Sequence, residues 1–277
     1  MKNSLSASPR SAADRSDYFR QHLPEVPAFR ALIRAVECRL LAEVEMPGPV
    51  LDIGCGDGIF AQILAGGRWF AGVDTWAQGV RQAQARRAYR HALVASGTRL
   101  PFADGAFHTV VSNCVLEHIP DVDAVLREAN RVLVIGGRFA LTVPSHLFAD
   151  MLFGSTTCKR LGLHRLGRAY GAWFNRKARH YHCDSPEKWV ARLDDAGFAV
   201  ERWQYYLSHA ALQAIDLAHY YGLPSLFWNK VLGRWNIVRG HWNYVVPELW
   251  LRRYYEEPAP NPGGYIFFAA TKTRDLG

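Results

Sequence analysis

The sequence predicts an α/β fold in which a parallel sheet is covered by helices on both faces. Short apolar segments alternate with longer amphipathic ones through residues 49–206, and the spacing of apolar residues changes between 2 and 3.6 at each step. This alternation is typical of strands buried between two helical layers. With 277 residues, the chain is long enough for one large domain with insertions.

The individual elements follow from local composition. The strands are short apolar runs, predicted at 49–53, 69–74, near 91–95, and at 107–113, 138–143, 198–206 and 264–273. The helices are the amphipathic segments between them, predicted at 58–66, 76–88, 121–134 and from Ser185 onward. Ser185 and Pro186 are typical of a helix start, and Gly197 is typical of a helix end.

The first predicted strand runs into three glycines at alternate positions, in the stretch VLDIGCGDGIF (50–60). Gly54 and Gly56 fit the dinucleotide fingerprint G-x-G-x-x-G, but its third glycine would fall at Ile59, and the chain has Gly58 instead. Asp52 would also repel a pyrophosphate. The turn therefore predicts a ligand other than NAD.

Composition indicates a soluble, cytoplasmic protein. Hydrophobic residues make up 49% and charged residues 21% of the chain, and no apolar run reaches the 18 or so residues of a membrane span. The first residues lack the apolar stretch of a secretory signal, and residues 1–48 are interpreted as an N-terminal tail and helices. Five cysteines without C-x-x-C spacing are interpreted as reduced thiols.

Four motifs together resemble the class I S-adenosylmethionine-dependent methyltransferases of the bacterial type-11 family. They are VLDIGCGDG, GVD, LPFADGAFHTVVSNCVLEHIPD and AGF, in this order and spacing. The resemblance covers residues 48–206 and the last strand. It implies a Rossmann-like sheet of seven strands in the order 3-2-1-4-5-7-6 with the last strand antiparallel. It also implies methyltransferase activity with S-adenosylmethionine bound across the carboxyl ends of strands 1 to 4.

The resemblance also implies which residues surround the cofactor: Asp52, Gly54, Cys55, Gly56, Asp74, Thr75, Ser96, Gly97, Thr98, Asn113 and Cys114. The glycines let the backbone meet the methionine part of the cofactor, whose ammonium group Asp52 faces. The alternative is a tight turn without a ligand. Asp74 accepts hydrogen bonds from both ribose hydroxyls, or caps the next helix, or does both.

At the adenine end the chain departs from the family pattern. Ser96 stands where relatives often carry an acid that binds the adenine amino group, so adenine recognition is expected to use the hydroxyl or backbone groups. Asn113 and Cys114 border the methionine part, and Cys114 is not expected to be a nucleophile because no basic residue lies beside it in sequence. The Asn-Pro-Pro-Tyr type of motif found in methyltransferases of base amino groups is absent here.

Catalysis requires mainly the correct placement of the acceptor, because the sulfonium already activates the methyl group. His118 is the candidate general base for an acceptor that must lose a proton; the alternative is that Glu117 and His118 only cap or pack the next loop. His180, His182 and Cys183 lie within four residues, but they lack a matching partner elsewhere, so no metal is expected.

Two insertions, residues 144–184 and 207–262, follow strands 5 and 6 and are expected to cover the pocket. The first insertion contains seven basic and two acidic residues, which gives it +5 of the net charge of +8. The second insertion contains ten aromatic residues, among them Trp228, Trp235 and Trp242 at the spacing of a helical stripe. Core packing explains part of this composition, but it also suits a cover for an amphiphilic or anionic acceptor.

Three functions are compatible with these features. The first is methyl transfer to a small-molecule, glycolipid or lipid-like acceptor, in the cytoplasm or at the anionic inner face of a membrane. The second is RNA methylation, which the net charge of +8 permits although the chain lacks a recognisable RNA-binding module, so nucleic acid is not the expected partner. The third is a catalytically silent protein that binds S-adenosylmethionine. The residues leave open whether O, N or C accepts the methyl group.

Overall fold

The computed structural model describes residues 17–221 and 242–276, which form one seven-stranded sheet with helices on both faces. The strands are β1 (Val50–Ile53), β2 (Trp69–Asp74), β3 (Tyr89–Val94), β4 (Phe107–Asn113), β5 (Leu133–Pro144), β6 (Phe198–Tyr206) and β7 (Tyr265–Lys272). Their order across the sheet is 3-2-1-4-5-7-6. Neighbouring strands among β1 to β5 are parallel, and β7 is antiparallel to both β5 and β6. The predicted topology is confirmed.

Eleven helices are found in the described residues. They are α1 (Tyr18–His22), α2 (Ala28–Leu41), α3 (Ile59–Ala65), α4 (Ala77–Arg86), α5 (Val122–Val132), α6 (Phe148–Met151), α7 (Phe153–Arg160), α8 (His164–Ala178), α9 (Pro186–Asp195), α10 (His209–Tyr221) and α11 (Trp242–Tyr255). A 3₁₀ turn covers Leu116–His118. Helix α9 begins as predicted, because the Ser185 hydroxyl accepts a hydrogen bond from the backbone N–H of Lys188.

Each face of the sheet packs against its own apolar core. Val111 and Ala140 belong to the core that contains α2, whereas their neighbours Val110 and Leu141 belong to the core that contains α5 and α9. Successive side chains of a strand point to opposite faces, so fully buried strands need apolar residues at nearly every position. This explains why the central strands appear in the sequence as continuous apolar runs.

Strand β5 is longer than the predicted 138–143. Leu133 already pairs with Phe107, and the register then shifts so that Thr109 pairs with Arg138. The extra residues of β5 lie at this irregularity, where Gly136 has a φ of +77°. The two glycines at 136 and 137 interrupt the apolar pattern, which is why the sequence predicts a later start.

The N-terminal helices are part of the core. Phe19, Leu32, Val36 and Leu41 are all buried in the cluster that packs on β1 and β4. Residues 1–16 of the segment interpreted as tail and helices lie outside the described residues, as do Trp228 and Trp235 of the proposed aromatic stripe. The two insertions are helical in their described parts, which are α6 to α8 in the first insertion and α10 and α11 in the second. None of the helices in the described residues is long and apolar enough to cross a membrane.

Candidate active site

A cavity of about 1450 Å³ opens at the carboxyl ends of β1, β2 and β4. Its walls come from the glycine turn after β1, from residues 74–76 at the end of β2 and from residues 95–97 after β3. Residues 113–115 and 118–120, at and beyond the end of β4, also line it. Helix α4, the N-terminal segment and the end of α8 complete it. The carboxyl ends of neighbouring parallel strands meet at one edge of the sheet, where α/β proteins usually bind their ligands. The volume exceeds the roughly 300–1,000 Å³ typical of small-molecule sites, which leaves room for a cofactor and an acceptor together.

The three glycines of the turn serve different purposes. Gly54, Gly56 and Gly58 all have positive φ values, of +88°, +52° and +77°. A Cβ atom at Gly54 would lie 2.1 Å from Cγ2 of Val115, and one at Gly58 would lie 2.7 Å from the Cβ of Ala88. A Cβ at Gly56 would meet nothing within 4 Å, and Gly56 lines the cavity. Packing therefore requires Gly54 and Gly58, whereas Gly56 keeps the cavity open.

Asp52 lies in the wall of the cavity at the end of β1. Its Oδ2 accepts a hydrogen bond of 2.6 Å from the hydroxyl of Tyr89. Burial raises the pKa of Asp52 from 3.8 to about 7, against the opposing effect of the Tyr89 hydrogen bond. The sequence assigned this carboxylate to the ligand's ammonium group, but one of its oxygens is already engaged with Tyr89.

We expect Asp52 to make folding stability depend on pH. The pKa of Asp52 rises from 3.8 to about 7 on folding. Between these two pH values the carboxyl is protonated in the folded state and ionised in the unfolded state. Stability from this group therefore falls as the pH rises through that window and is constant above it. Denaturant unfolding of the ligand-free protein at pH 5 and pH 8 measures the slope, and Asp52→Asn should reduce it. Equal slopes for the two proteins would contradict the raised pKa.

Asp74 holds the backbone around the cavity. Its Oδ2 accepts a hydrogen bond of 2.9 Å from the N–H of Gly56, and its Oδ1 accepts one of 2.8 Å from the N–H of Trp76, just before α4. Asp74 and Thr75 both line the cavity. Asp74 does not cap α4, whose N-cap is Trp76 without a side-chain hydrogen bond. Its bond to the N–H of Trp76 fixes the turn before the helix, and its bond to Gly56 ties the glycine turn to β2. Contact with the ribose hydroxyls remains a prediction.

Replacing Asp74 with alanine is expected to weaken S-adenosylmethionine binding by about 1–3 kcal/mol, or roughly 5- to 150-fold, because buried polar partners lose their acceptor. Calorimetric titration measures the affinity, and thermal unfolding verifies that the variant is folded. Asp57→Ala is the matched control, because Asp57 also lines the cavity and accepts from a backbone N–H, that of Ile59 at 3.2 Å. Equal losses in the two variants would limit Asp74 to holding the backbone around the cavity.

The predicted adenine residues are only partly at the cavity. Ser96 and Gly97 line it, and a Cβ at Gly97 would come within 3.0 Å of Cγ2 of Ile53. Thr98 does not line it, because its hydroxyl turns back to lie 2.8 Å from the Ser96 hydroxyl. Direct contact of Thr98 with the cofactor remains a prediction.

Asn113 and Cys114 both donate hydrogen bonds to a buried glutamate, Glu37, which the sequence did not suggest as part of the site. Glu37 of α2 is fully buried and accepts hydrogen bonds from Nδ2 of Asn113 at 2.9 Å and from the hydroxyl of Tyr206 at 2.9 Å. It also accepts from Sγ of Cys114 at 3.0 Å and pairs with Nη1 of Arg34 at 2.9 Å. The signal in the sequence that could have revealed this buried acid is Arg34 and Glu37, three residues apart in a helix with many apolar residues.

Cys114 is a protonated thiol in this setting. Burial, followed by the charge of Glu37, raises its pKa well above the ordinary value. Its backbone φ of +51° turns the chain away from β4, and its N–H donates to the Oγ1 of Thr142 at 3.0 Å. The thiol therefore lacks the thiolate character of a nucleophilic cysteine.

His118 lies on the wall of the cavity beside Glu117 and His180. Burial lowers its pKa, and its Nε2 is 3.7 Å from Oε1 of Glu117. Burial also lowers the pKa of His180 to about 4 and raises that of Glu117 to about 8. His182 lies apart from this group, with Nε2 3.1 Å from the carbonyl oxygens of Ile119 and Pro120. The base role of His118 remains a prediction.

The N-terminal segment contributes more lining residues to the cavity than the described parts of the two insertions. His22, Arg30 and Arg34 of the N-terminal segment line the cavity, and Ala178 and Arg179 are the contribution of the first insertion. In the second insertion, the described residues do not line it. Helices α10 and α11 instead pack on α2. The cover role of the second insertion remains a prediction, and the segment interpreted as tail and helices forms a wall of the site.

Comparison with known proteins gives the same type of fold and a set of related sequences. The family model of the methyltransferase domain matches residues 51–141. Arsenite methyltransferase of Aquipseudomonas alcaligenes is 35% identical over 144 residues, which is 46% of this chain and 39% of that protein. Demethylmenaquinone methyltransferase of Mycolicibacterium vanbaalenii is 32% identical over 167 residues, which is 56% of this chain and 70% of that protein. The chain thus spans about two fifths of the first relative.

Solved structures with the same fold are more distant in sequence. A Thermotoga maritima S-adenosylmethionine-dependent methyltransferase, described as a possible histamine N-methyltransferase, has a TM-score of 0.53 at 20% identity and covers 92% of this chain and 94% of its own. Geranyl diphosphate methyltransferase in complex with S-adenosylmethionine has a TM-score of 0.52 at 16% identity, covering 88% and 90%. These likenesses establish the fold.

Proposed function

The chain belongs to the class I S-adenosylmethionine-dependent methyltransferases, and we propose that its acceptor is a small amphiphilic or lipid-like molecule that it meets at an anionic surface. The observation that supports this proposal is an apolar and basic surface that runs from the end of α7 through the connection to α8 and along α8. Leu161, Leu163, Leu166 and Trp173 are 70, 50, 56 and 51% exposed. Exposed apolar groups clustered in this way are unusual for a soluble monomer and typical of a binding surface.

Basic residues lie among these apolar side chains. Arg160, Arg165 and Arg168 are exposed in the same stretch as the three leucines. A surface of this kind suits an anionic leaflet, which attracts the arginines while the leucines enter the interface. We call the exposed side chains of Arg160 to Trp173 the basic-apolar surface.

Helix α8 connects the basic-apolar surface to the cavity. Its 15 residues span about 22 Å, and its last residue, Ala178, together with Arg179 lines the cavity. An acceptor taken from a surface at α7 and α8 would therefore approach the site along the helix that forms its wall. The relative named for demethylmenaquinone supports an acceptor with an apolar part.

The residues around the cavity would bind and orient, because S-adenosylmethionine itself supplies an activated methyl group. The residues present fit this ligand. Gly56 leaves open space at the turn, and Asp74 is available at the end of β2. Arg30 adds positive charge to the wall of the cavity, whereas the charge of Arg34 is paired with Glu37. In-line placement of the acceptor is the main requirement for the transfer.

The acceptor proposal is tested by incubating the purified chain with methyl-labelled S-adenosylmethionine and extracts of lipids, polar metabolites and RNA, each in a separate reaction. We expect a mass gain of one methyl group in the lipid fraction. Labelling of RNA alone, or of polar metabolites alone, would overturn the amphiphilic acceptor. Cofactor binding with no labelled product in any fraction would favour the catalytically silent alternative.

A separate prediction concerns membrane contact. The chain is expected to sediment with anionic liposomes at low salt and to be released as the salt concentration rises. Arg165→Glu together with Arg168→Glu removes two attractions of about 1 kcal/mol each, so binding should fall at least roughly 30-fold. Arg81→Glu with Arg127→Glu makes the same change of charge on exposed sites elsewhere. If both double variants bind alike, the net charge and not the basic-apolar surface explains the attraction.

A further inference from the structure

We infer that Glu117, His118 and His180 form a binding site for one divalent transition-metal ion in the wall of the cavity. One ligating atom of each residue lies within 4.8 Å of the others. The imidazole rings of His118 and His180 are 5.2 Å apart between centroids. Small side-chain rotations would bring such a set to the distances of about 2.0–2.2 Å at which nitrogen and oxygen ligands hold zinc.

In both histidines Nδ1 has a partner, which leaves Nε2 as the nitrogen that a metal would bind. Nδ1 of His118 lies 3.3 Å from the carbonyl oxygen of Arg179, and Nδ1 of His180 lies 3.2 Å from Oδ1 of Asn175. Because a carbonyl oxygen only accepts, these two contacts favour the tautomer with the proton on Nδ1 and the lone pair on Nε2. Metal-binding histidines are held in the same way, by a second partner that fixes the tautomer and the ring orientation.

Within the described part of the chain, Glu117 has a buried carboxyl oxygen without a hydrogen-bond partner, which indicates that this group can bind a ligand. Its side chain is only 2% exposed, and its Oε2 is without a hydrogen-bond partner among residues 17–221 and 242–276. A buried carboxyl oxygen without a partner is costly, and a bound cation would remove that cost. The charge of Arg34 acts on Glu117 from a distance, but Nη1 of Arg34 pairs with Glu37, and Oε2 of Glu117 receives no hydrogen bond from it.

The backbone holds the three residues together in advance. The N–H of Tyr181 donates to the carbonyl oxygen of Glu117 at 2.7 Å. His182 contacts the carbonyl oxygens of Ile119 and Pro120, and the ring of Phe148 packs 5.3 Å from that of His180. Residues 117–120 and 179–182 are therefore joined at several points. An ion would bind a formed site and would need little further ordering of the chain.

The type of ion follows from the donor atoms. Two imidazole nitrogens and one carboxylate favour zinc, iron(II) or a similar transition metal over magnesium and calcium, which prefer oxygen ligands. Three protein ligands leave a coordination position for water or for an oxygen of the acceptor. Because His118 lines the cavity, that ion would orient the acceptor, and His118 would then be a ligand and not a free base.

The test measures metal binding directly and does not depend on the acceptor or on methyl transfer. The full chain is treated with a chelator and titrated with Zn²⁺ in the calorimeter and with Co²⁺ by visible absorption. We expect one site per chain in both titrations. Glu117→Gln and His180→Ala should each weaken Zn²⁺ binding at least about tenfold, since even the loss of a supporting residue costs a metal site 10- to 100-fold.

His164→Ala is the matched control, because this exposed histidine belongs to the same insertion and lies outside the group. Thermal unfolding is recorded for every variant, and the half-buried His180 provides the result if Glu117→Gln does not fold. The absence of a saturable site, unchanged binding in His180→Ala, or an equal loss in His164→Ala would overturn the inference.

Discussion

Replacing Glu37 with alanine is expected to destabilise the fold by about 3–5 kcal/mol, the cost of leaving the partner of a buried ion pair without its counter-charge. The Arg34 guanidinium would keep its place without the carboxylate that pairs with it at 2.9 Å. Asn113 and Tyr206 would lose the same acceptor. Because Asn113 lines the cavity, cofactor affinity should fall as well.

Two variants make the Glu37 result specific. Glu43→Ala removes another acid at the end of the same helical region, which pairs with Arg202 at 2.7 Å at the surface, and should cost less than about 1 kcal/mol. Glu37→Gln keeps an acceptor oxygen and should lie between the two. Denaturant unfolding gives the three free energies. A cost for Glu37→Ala as small as that for Glu43→Ala would show that the network does not stabilise the fold.

Gly54→Ala is expected to be the most damaging single change in the glycine turn. A Cβ there lies 2.1 and 2.7 Å from the two methyl carbons of Val115, and the φ of +88° is unfavourable for alanine. Overpacking of this kind costs typically 1–3 kcal/mol, and the left-handed conformation adds roughly 1–2 kcal/mol. Val115→Ala removes both methyl carbons, so the double variant should recover part of the loss.

The other glycines with positive φ separate backbone strain from steric conflict. Gly66 has a φ of +61°, and a Cβ added there would meet nothing within 4 Å. Gly66→Ala should therefore lower the free energy of unfolding only by the cost of the left-handed backbone. Gly56→Ala shares that open space but lines the cavity, so its stability should match Gly66→Ala while its affinity for S-adenosylmethionine falls. Equal stability of Gly54→Ala and Gly66→Ala, measured by denaturant unfolding, would contradict the steric argument.

Local patterns were sufficient to predict the sheet. Strands β4 and β6 begin and end at the predicted residues, and a glycine with positive φ precedes each of them, Gly105 before β4 and Gly197 before β6. The glycine turn and the acid at the end of β2 lie together at the predicted edge. The exception is β5, whose irregularity at Gly136 and Gly137 hides its first residues.

The contacts that complete the site depend on residues far apart in the chain. Glu37 and Asn113 are 76 positions apart, and no local pattern connects α2 with the end of β4. From the sequence, no metal is expected at residues 180–183, because they lack a matching partner elsewhere in the chain. In the structure His180 meets Glu117 and His118, which belong to the loop after β4. The N-terminal helices were similarly assigned no role, because an amphipathic helix does not reveal its packing partner.

Cofactor recognition by the glycine turn is tested most directly by calorimetric titration of the purified chain with S-adenosylmethionine and, separately, with NAD. The cavity is expected to bind one S-adenosylmethionine per chain and its demethylated product as well, with no comparable binding of NAD, since the third glycine of the dinucleotide pattern is replaced by Ile59. Binding of NAD with equal affinity, or no binding of S-adenosylmethionine, would contradict this assignment.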